Sequence, residues 1–327
     1  MKIAFFEVVD WEKKIIKKAL KAHDLLFFPT PLTKDNVHEI RDIDIISVFI
    51  YSKITSDILK KLPKLKLIAT RSTGFDHIES SLPVANVPFY GENTVAEHTF
   101  ALILSLSRNI HKAYVRGLRD DFSIQGLKGF DLKGKTIGVV GAGNIGLHVI
   151  KMAKGFSMNV LACDVNQNNF LAEVLGFEYV SLEELLSSSD IISLHVPSVK
   201  ETKHLINKDN IKKIKKGSIL INTSRGEVVD IDALIKALDN GILAGAGLDV
   251  LEGEELIKEE RELLYEKENP AILKQLVKDH ILLNKENVVY TPHIAFYSKE
   301  AVERILETTL DNILSFINKK PINIVRR

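Results

Sequence analysis

Short apolar runs alternate with stretches of helical spacing along most of this 327-residue chain, and this alternation limits the fold more than any other feature. In the first ninety residues the apolar runs lie at 2–6, 24–28, 44–50 and 65–70, and residues 11–22 carry apolar side chains at helical spacing. Strands that alternate with helices pair in parallel, because each helix returns the chain to the edge where the previous strand began. The first part of the chain therefore predicts a small parallel sheet.

A second series of apolar runs begins after residue 135 and is again separated by helical stretches. Its members are the runs 136–141, 159–164, 190–196, 218–224, 245–250 and 287–293. This number of strands with intervening helices matches a complete doubly wound sheet. The last helical stretch, 298–320, has no further strand to reach, so we expect it to return and pack on the first sheet.

The predicted fold class is α/β, with two Rossmann-like or flavodoxin-like parallel-sheet domains and a cleft between them. The first domain is discontinuous, comprising residues 1–92 and 297–327, and the second comprises residues 93–296. A long helix should open the second domain on the capping-box pair Thr94 and Glu97 and continue to residue 118. Its middle is apolar nearly all round, so we expect it to be buried between domains or between subunits.

Composition excludes several classes of protein. A formal net charge of +1 argues against a protein that relies on bulk electrostatics to bind nucleic acid or a membrane surface. The single cysteine, Cys163, rules out an intramolecular disulfide and a thiolate metal cluster, and we expect no bound metal. No apolar run reaches about 18 residues, and the first residues lack the features of a signal peptide, so we expect a cytoplasmic protein.

A glycine fingerprint follows the first apolar run of the second series. Gly141, Gly143 and Gly146 directly follow the run and open a helical stretch. In this context the first glycine permits a tight turn, the second lets the backbone approach a pyrophosphate, and the third allows close helix–strand packing. The N–H groups at the start of the helix would then face the phosphates. The motif therefore predicts a dinucleotide site.

The type of dinucleotide follows from Asp164, which ends the next apolar run. A carboxylate at this position accepts hydrogen bonds from the adenosine ribose hydroxyls and repels the 2′-phosphate of NADP. No arginine follows it closely, since the next residues are Val-Asn-Gln-Asn-Asn. These features favour NAD over NADP.

The last three apolar runs each lead into polar groups: Arg225, then Asp249 with Glu254, then His293. The carboxyl ends of parallel strands share one edge of a sheet, where ligands bind. There a guanidinium can grip a carboxylate in a bidentate way, and an imidazole can exchange a proton near neutral pH. Glu254 could hydrogen-bond the second imidazole nitrogen of His293, raise its pKa and hold the ring. This set of side chains predicts a dehydrogenase.

At these residues the chain resembles the D-isomer-specific 2-hydroxyacid dehydrogenase family over nearly its whole length. The similar blocks are GAGNIG with the later aspartate, SLHVP (193–197), NTSRGEVVD (222–230), GLDVLEGE (247–254) and TPHIAF (291–296). The resemblance implies that Arg225 anchors the substrate carboxylate and that Glu254 and His293 form the acid/base pair. It also implies that Asp249 orients the nicotinamide carboxamide. The other residues implied to contact NAD are the three fingerprint glycines, Asn144, Ile145, Asp164, Val196, Pro197, Thr202, Thr223, Ser224 and Arg225.

Within that family the chain is most similar to the D-lactate dehydrogenases. RSTGFDHI (71–78) resembles a loop whose N–H groups, at Thr73 and Gly74, receive the substrate carboxylate. VPFYGENTVAEHTFALIL (87–104) resembles the segment that crosses into the nucleotide domain, with Tyr90 facing the site. The segment 76–88 is shorter than the family pattern.

The resemblance implies NAD-dependent reduction of a small 2-oxo acid, with pyruvate favoured, to the D-2-hydroxy acid. Hydride would pass from NADH to C2, and His293 would donate the proton. Phe296 and Tyr297 would surround the substrate side chain, and an aromatic wall favours a methyl group over a phosphate. Two alternatives stay open: another acid, such as glycerate, phosphoglycerate or a branched acid, or an NADH-sensing binding module like corepressors of the C-terminal-binding-protein type.

Two further expectations concern surfaces. The resemblance implies a homodimer formed through the nucleotide domain. The charge-rich segment 252–286 is longer than the family pattern, and we expect it to be a surface excursion of helix and loop.

Overall fold

The computed structural model contains two sheets whose strands are mostly parallel. It describes residues 1–253 and 270–325, except for the side chains of residues 270–274. Contacts divide the chain into one unit of Met1–Gly91 with Ser298–Arg327 and a second unit of Glu92–Tyr297. The predicted α/β class with two parallel-sheet units is confirmed. Residues 254–269, which include Glu254 and the first part of the predicted charged excursion, lie outside the described residues.

The first unit contains a sheet with the strand order β13-β5-β4-β3-β1-β2 among its described residues. All neighbours pair in parallel except β13 with β5. The four strands predicted in this region are confirmed, each slightly shorter than expected, whereas the two-residue strands β5 and β13 were not predicted. The strands are β1 Lys2–Phe5, β2 Asp24–Phe27, β3 Ile45–Val48, β4 Leu67–Thr70, β5 Val84–Ala85 and β13 Ile324–Val325.

Helices cover the sheet of the first unit because its strands are apolar on both faces. These helices are α1 Asp10–Ala19, α2 Ser56–Lys60 and α10 Lys299–Ile317. Leu306, Leu310 and Ile313 of α10 join the same buried cluster as Ile3 and Phe5 of β1. The short segment 76–88 runs to β5 in turns and extended backbone, with no helix in these described residues.

The second unit contains a fully parallel sheet with the strand order β12-β11-β10-β9-β6-β7-β8 in the described residues. All six predicted strands are confirmed, and the two-residue strand β8 is additional. The strands are β6 Thr136–Val140, β7 Asn159–Cys163, β8 Glu178–Tyr179, β9 Ile191–Leu194, β10 Ser218–Asn222, β11 Leu243–Leu248 and β12 Val288–Tyr290. The helices are α3 Glu92–Ser107, α4 Ile110–Gly117, α5 Asn144–Gly155, α6 Asn169–Leu175, α7 Leu182–Ser188, α8 Ile231–Asp239 and α9 Pro270–Leu283.

The predicted long helix at 94–118 is wrong in two respects. Helix α3 already begins at Glu92, so Thr94 lies inside its first turn and cannot cap it. The chain then breaks before α4, where Asn109 adopts a left-handed conformation with φ 51°. Asparagine tolerates this conformation better than most residues, which allows the break without glycine.

Helix α3 is buried against the sheet of its own unit. Its residues Leu102 and Leu106 pack on the glycines of β11. A Cβ atom added at Gly247 would lie 3.0 Å from Leu102 Cβ and 2.9 Å from Ile221 Cδ1. Larger residues in β11 would therefore push α3 away from the sheet.

The described residues contain neither a membrane-spanning helix nor a cluster of metal ligands. No helix in residues 1–253 or 270–325 is both long enough and apolar enough to cross a membrane. Within those same ranges, no three His, Cys, Asp or Glu side chains converge in a way that could hold a metal ion.

Candidate active site

Three neighbouring strands of the second sheet bring the predicted polar groups to one edge. Arg225 follows β10 and His293 follows β12. Asp249 follows β11, which lies between these two strands. Backbone hydrogen bonds continue the sheet beyond the strands, since the Asp249 N–H donates to Asn222 O at 2.9 Å and the His293 N–H donates to Asp249 O at 2.8 Å. The loops that carry Arg225 and His293 are therefore both joined to the segment at Asp249.

The side chain of Asp249 holds the loop that carries His293. It is only 1% exposed. Its Oδ1 accepts from the Thr291 hydroxyl at 2.5 Å and from the Ile294 N–H at 3.0 Å. Its Oδ2 accepts from the Ala295 N–H at 2.9 Å. A single carboxylate thus bonds residues on both sides of His293.

His98 on α3 completes this arrangement. The hydroxyl proton of Thr291 is directed to Asp249, so the Thr291 oxygen accepts from His98 Nε2 at 2.9 Å. The same nitrogen lies 3.5 Å from Asp249 Oδ1. Burial alone would raise the pKa of Asp249, but the hydrogen bonds from His98, Thr291 and the loop N–H groups outweigh burial. The pKa of Asp249 therefore lies below its ordinary value of 3.8, and the carboxylate is charged.

The Arg225 loop is fixed by its own backbone and by Asn222. The Asn222 side chain donates to Arg225 O at 2.9 Å and accepts from the Ser224 N–H at 3.0 Å. Arg225 is half-buried, and its Nη1 donates to Ser224 O at 2.8 Å. Gly226 allows a close approach, because a Cβ there would lie 2.0 Å from the Leu251 carbonyl carbon. No side chain fits at this position, and the two loops remain in backbone contact.

His293 has an unusual backbone conformation that directs its side chain. Its φ is 56°, in the left-handed region that few residues other than glycine and asparagine adopt. Its ring lies edge-on to Phe296 with 6.5 Å between centroids, and Phe296 in turn contacts Tyr297 at 5.7 Å. Tyr297 is 66% exposed. The predicted aromatic neighbours of His293 are thus brought together, while its predicted partner Glu254 lies outside the described residues.

The glycine fingerprint fits a bound dinucleotide. Gly141 has φ 94°, and a Cβ there would lie 2.5 Å from His195 O. A Cβ on Gly146 would lie 2.0 Å from Gly141 O, so both positions exclude a side chain. Gly143 caps the N-terminus of α5, and a Cβ there would meet no atom within 4 Å. The open space above Gly143, facing the first N–H groups of α5, suits a pyrophosphate.

Asp164 lies beside this turn, as the fingerprint requires. Its Oδ2 accepts from the Ala142 N–H at 2.7 Å, and its Oδ1 accepts from the Asn166 N–H at 2.7 Å. Each carboxylate oxygen has a second lone pair, so Asp164 can still accept from ribose hydroxyls.

The other predicted cofactor residues lie on the loops of the same sheet edge. Asn144 and Ile145 form the first turn of α5. Thr202 braces the loop after β9, because its hydroxyl donates to Pro197 O at 2.5 Å. The Thr223 hydroxyl is bonded to the Thr99 hydroxyl at 2.9 Å. The remaining members of the predicted set at this edge are Val196 after β9 and Ser224 after β10.

His195 was not predicted as a functional residue, and its backbone lies against the fingerprint turn, since its N–H donates to Val140 O at 2.7 Å. The residue is half-buried, but burial of its ring lowers the pKa to about 3, so the ring is neutral. Its Nε2 lies 2.7 Å from the Ser193 hydroxyl.

The predicted substrate residues of the first unit lie at its own sheet edge. Thr73 and Gly74 form the turn after β4, and the Thr73 hydroxyl donates to Val87 O at 2.7 Å. Tyr90 is half-buried, and its carbonyl accepts from Arg304 Nε at 2.5 Å.

Comparison with known proteins matches the chain to a family model and to relatives over nearly their whole length. A family model described as "D-isomer specific 2-hydroxyacid dehydrogenase, NAD binding domain" matches residues 100–295. The 2-hydroxyacid dehydrogenase homolog 1 of Schizosaccharomyces pombe is 39% identical, with 100% of both chains covered. The D-lactate dehydrogenase of Escherichia coli is 36% identical, with 96% of each chain covered. The structure of D-lactate dehydrogenase from Aquifex aeolicus complexed with NAD and lactic acid has a TM-score of 0.87 and 39% identity, covering 97% of this chain and 96% of that chain.

Asp249→Asn tests the carboxylate that holds the His293 loop. The amide keeps the shape but presents a donor to at least one N–H group, so we expect a loss of about 2–4 kcal/mol in the free energy of unfolding. The contribution of Asp249 is present above the ordinary carboxyl pKa and is lost as pH falls through its lowered pKa. Urea unfolding should therefore separate variant and wild type at pH 7 and bring them together in acid.

Asp190→Asn is the matched control, because Asp190 accepts from the Thr136 N–H at 2.9 Å at the opposite edge of the same sheet. Both variants should lose stability, but only Asp249→Asn should also lose catalytic turnover. Equal stability of Asp249→Asn and wild type at pH 7 would contradict this role.

Proposed function

Because this chain belongs to the D-isomer-specific 2-hydroxyacid dehydrogenase family, we propose that it uses NADH to reduce a small 2-oxo acid, pyruvate above others, to the D-2-hydroxy acid. One observation carries the proposal. Arg225 and His293 follow the two strands that flank β11, and both loops are hydrogen bonded to the segment between them. The relative from Aquifex aeolicus, solved with NAD and lactic acid, supports the choice of acid.

The second unit would hold the cofactor. The α5 N-terminus would bind the pyrophosphate, Asp164 would bind the adenosine ribose, and the loops after β9 and β10 would line the rest. When bound, NADH supplies a hydride to C2 of the 2-oxo acid. Asp249 would face the nicotinamide side of the site, although its own carboxylate oxygens already accept from the His293 loop. The first unit would then serve as the substrate domain.

Arg225 and His293 would act on the substrate itself. The Arg225 guanidinium would hold the carboxylate and polarise the C2 carbonyl, which stabilises negative charge as it develops on that oxygen. His293, with Glu254 as its partner, would donate a proton to the same oxygen during reduction and take it back during oxidation. Thr73 and Gly74 would direct backbone N–H groups at the carboxylate.

Aromatic side chains would set the size of the substrate. Phe296 and Tyr297 beside His293 offer apolar surface and carry no positive charge that could bind a phosphate. Tyr90 would add to this surface. This arrangement favours pyruvate over phosphorylated acids. Glycerate or a branched acid is the first alternative, and an NADH-sensing corepressor-like module is the second. A protein of the second kind would bind NADH tightly and turn over no 2-oxo acid.

We also propose a cytoplasmic homodimer. Helix α4 and the residues after it expose a row of apolar side chains, and monomers seldom leave such a surface open. The members of this row are 46–87% exposed: Ile110, Tyr114, Val115, Leu118, Phe122 and Ile124. A single monomeric species in sedimentation velocity would contradict the dimer.

His293→Gln tests the proton donor. We expect kcat for reduction to fall by about 10²–10⁴-fold, because proton transfer to the carbonyl oxygen is lost, while KM for the acid changes little. Loss of NADH absorbance would be followed with a panel of 2-oxo acids, in which pyruvate should show the highest kcat/KM of the wild-type enzyme. His38→Gln, at an exposed histidine of the first unit, is the control. A His293→Gln enzyme that kept most of its turnover would refute the assignment.

Asp164→Ala tests the choice of NAD. Removing the carboxylate removes both the ribose hydrogen bonds and the repulsion of a 2′-phosphate, so the ratio of kcat/KM with NADPH to that with NADH should rise at least ~10-fold. Asp209→Ala changes an exposed carboxylate of the same unit and should leave the ratio unchanged. An unchanged ratio in Asp164→Ala would rule out this role.

A further inference from the structure

A chain of asparagine side chains crosses the first unit and ends on the turn after β4. Asn323, near β13, donates from Nδ2 to Asn312 Oδ1 at 2.8 Å. Asn312, on α10, donates from Nδ2 to Asn86 O at 2.8 Å. Asn86, after β5, donates from Nδ2 to Thr73 O at 2.8 Å. The C-terminal segment and α10 are thus connected to the turn through three amides in series.

Two of these amides are buried, where a polar group needs a hydrogen-bond partner. Asn86 is 7% exposed and Asn312 is 1% exposed. The chain is also closed on itself, because the Asn86 N–H donates to Asn323 O at 3.1 Å. Buried amides without partners are costly, so these hydrogen bonds hold the three asparagines in position.

In the turn itself, residues 72–74, the carbonyl and hydroxyl groups make hydrogen bonds within the protein. The Val87 N–H donates to Ser72 O at 3.0 Å, and the Ser72 hydroxyl donates to Gly74 O at 2.6 Å. Thr73 O accepts from Asn86, and the Thr73 hydroxyl donates to Val87 O. In contrast, within the described part of the chain the N–H groups of Thr73 and Gly74 donate to no protein acceptor. Two successive N–H groups left open at the carboxyl end of a parallel strand suit an anion.

We propose that Asn86, Asn312 and Asn323 are positioning residues, which hold the Thr73–Gly74 turn so that its two N–H groups meet the substrate carboxylate. This inference rests on the proposed function. The bond to Thr73 O fixes one side of a peptide unit whose other side is the Gly74 N–H, so movement of that oxygen rotates the donor. Helix α10 therefore contributes to substrate affinity as well as to the core of the first unit.

Variants along the series test the proposal in the intact enzyme. Asn323→Gly removes the amide farthest from the turn, and glycine tolerates the left-handed φ of 53° at this position. Asn312→Ala removes the central amide. Asn86→Ala removes the contact with Thr73. We expect KM for pyruvate to rise ~5–20-fold in Asn86→Ala and Asn312→Ala and less in Asn323→Gly, since each loses or misaligns a hydrogen bond to a charged ligand. KM for NADH should stay within about twofold, because the second unit carries the dinucleotide site.

Asn86→Asp separates positioning from packing. It keeps the volume of the side chain but sets a carboxylate oxygen against Thr73 O, so KM for pyruvate should rise at least as much as in Asn86→Ala. A packing role would make the aspartate variant the milder of the two. Asn36→Ala is the matched control, because Asn36 makes the same kind of bond in the same unit, to Pro31 O at 2.8 Å.

The outcomes separate this inference from the proposed function. If the wild-type enzyme reduces no 2-oxo acid, the proposed function fails. If it prefers another acid to pyruvate, KM for that acid is compared among the same variants. If the wild-type enzyme is active and folded Asn86→Ala, Asn86→Asp and Asn323→Gly match Asn36→Ala in KM for the acid, the positioning role is overturned. Circular dichroism and the unfolding midpoint identify any variant that has not folded, and Asn323→Gly, with the smallest change, keeps the comparison available.

Discussion

One buried carboxylate, that of Asp249, determines how the second sheet ends at the candidate site. Its oxygens accept from groups on both sides of His293, and its backbone joins the strand that leads to Arg225. A charge removed from water is tolerated only when hydrogen bonds replace its hydration, and here Thr291, His98 and loop N–H groups do so. The arrangement of cation and imidazole at this edge therefore depends on a negative charge that is bonded to the backbone and to Thr291 in the His293 loop.

Much of this architecture follows from local sequence. The longer strands are continuous apolar runs, which is what a parallel sheet covered on both faces requires, so they were predicted with nearly correct ends. The glycine fingerprint was equally predictable, because its spacing between an apolar run and a helical stretch is a local pattern, and a Cβ on Gly146 would lie 2.0 Å from Gly141 O, only five positions away. The succession of apolar runs also predicts that Arg225, Asp249 and His293 lie at one edge of the sheet, because the carboxyl ends of parallel strands share an edge.

The features that were missed depend on contacts between distant residues or on exceptions to local preference. Asn312 lies 226 positions from Asn86, and nothing in the sequence around either asparagine indicates the bond between them. His98 meets Thr291 across 193 positions in the same way. The break between α3 and α4 was missed because the residues on both sides favour a helix, and only the left-handed Asn109 interrupts it. Strands of two residues, such as β5, are too short to give a periodic pattern.

In the proposed function, one side chain, His293, carries the proton in both directions of a hydride transfer. The most direct test is the pH dependence of kcat/KM for the wild-type enzyme, measured for reduction of pyruvate by NADH and for oxidation of D-lactate by NAD. Reduction needs the protonated imidazole and oxidation needs the neutral one. We predict that the reductive rate falls and the oxidative rate rises as pH increases through the same apparent pKa. Two profiles that change in the same direction, or that have widely separated pKa values, would contradict the assignment.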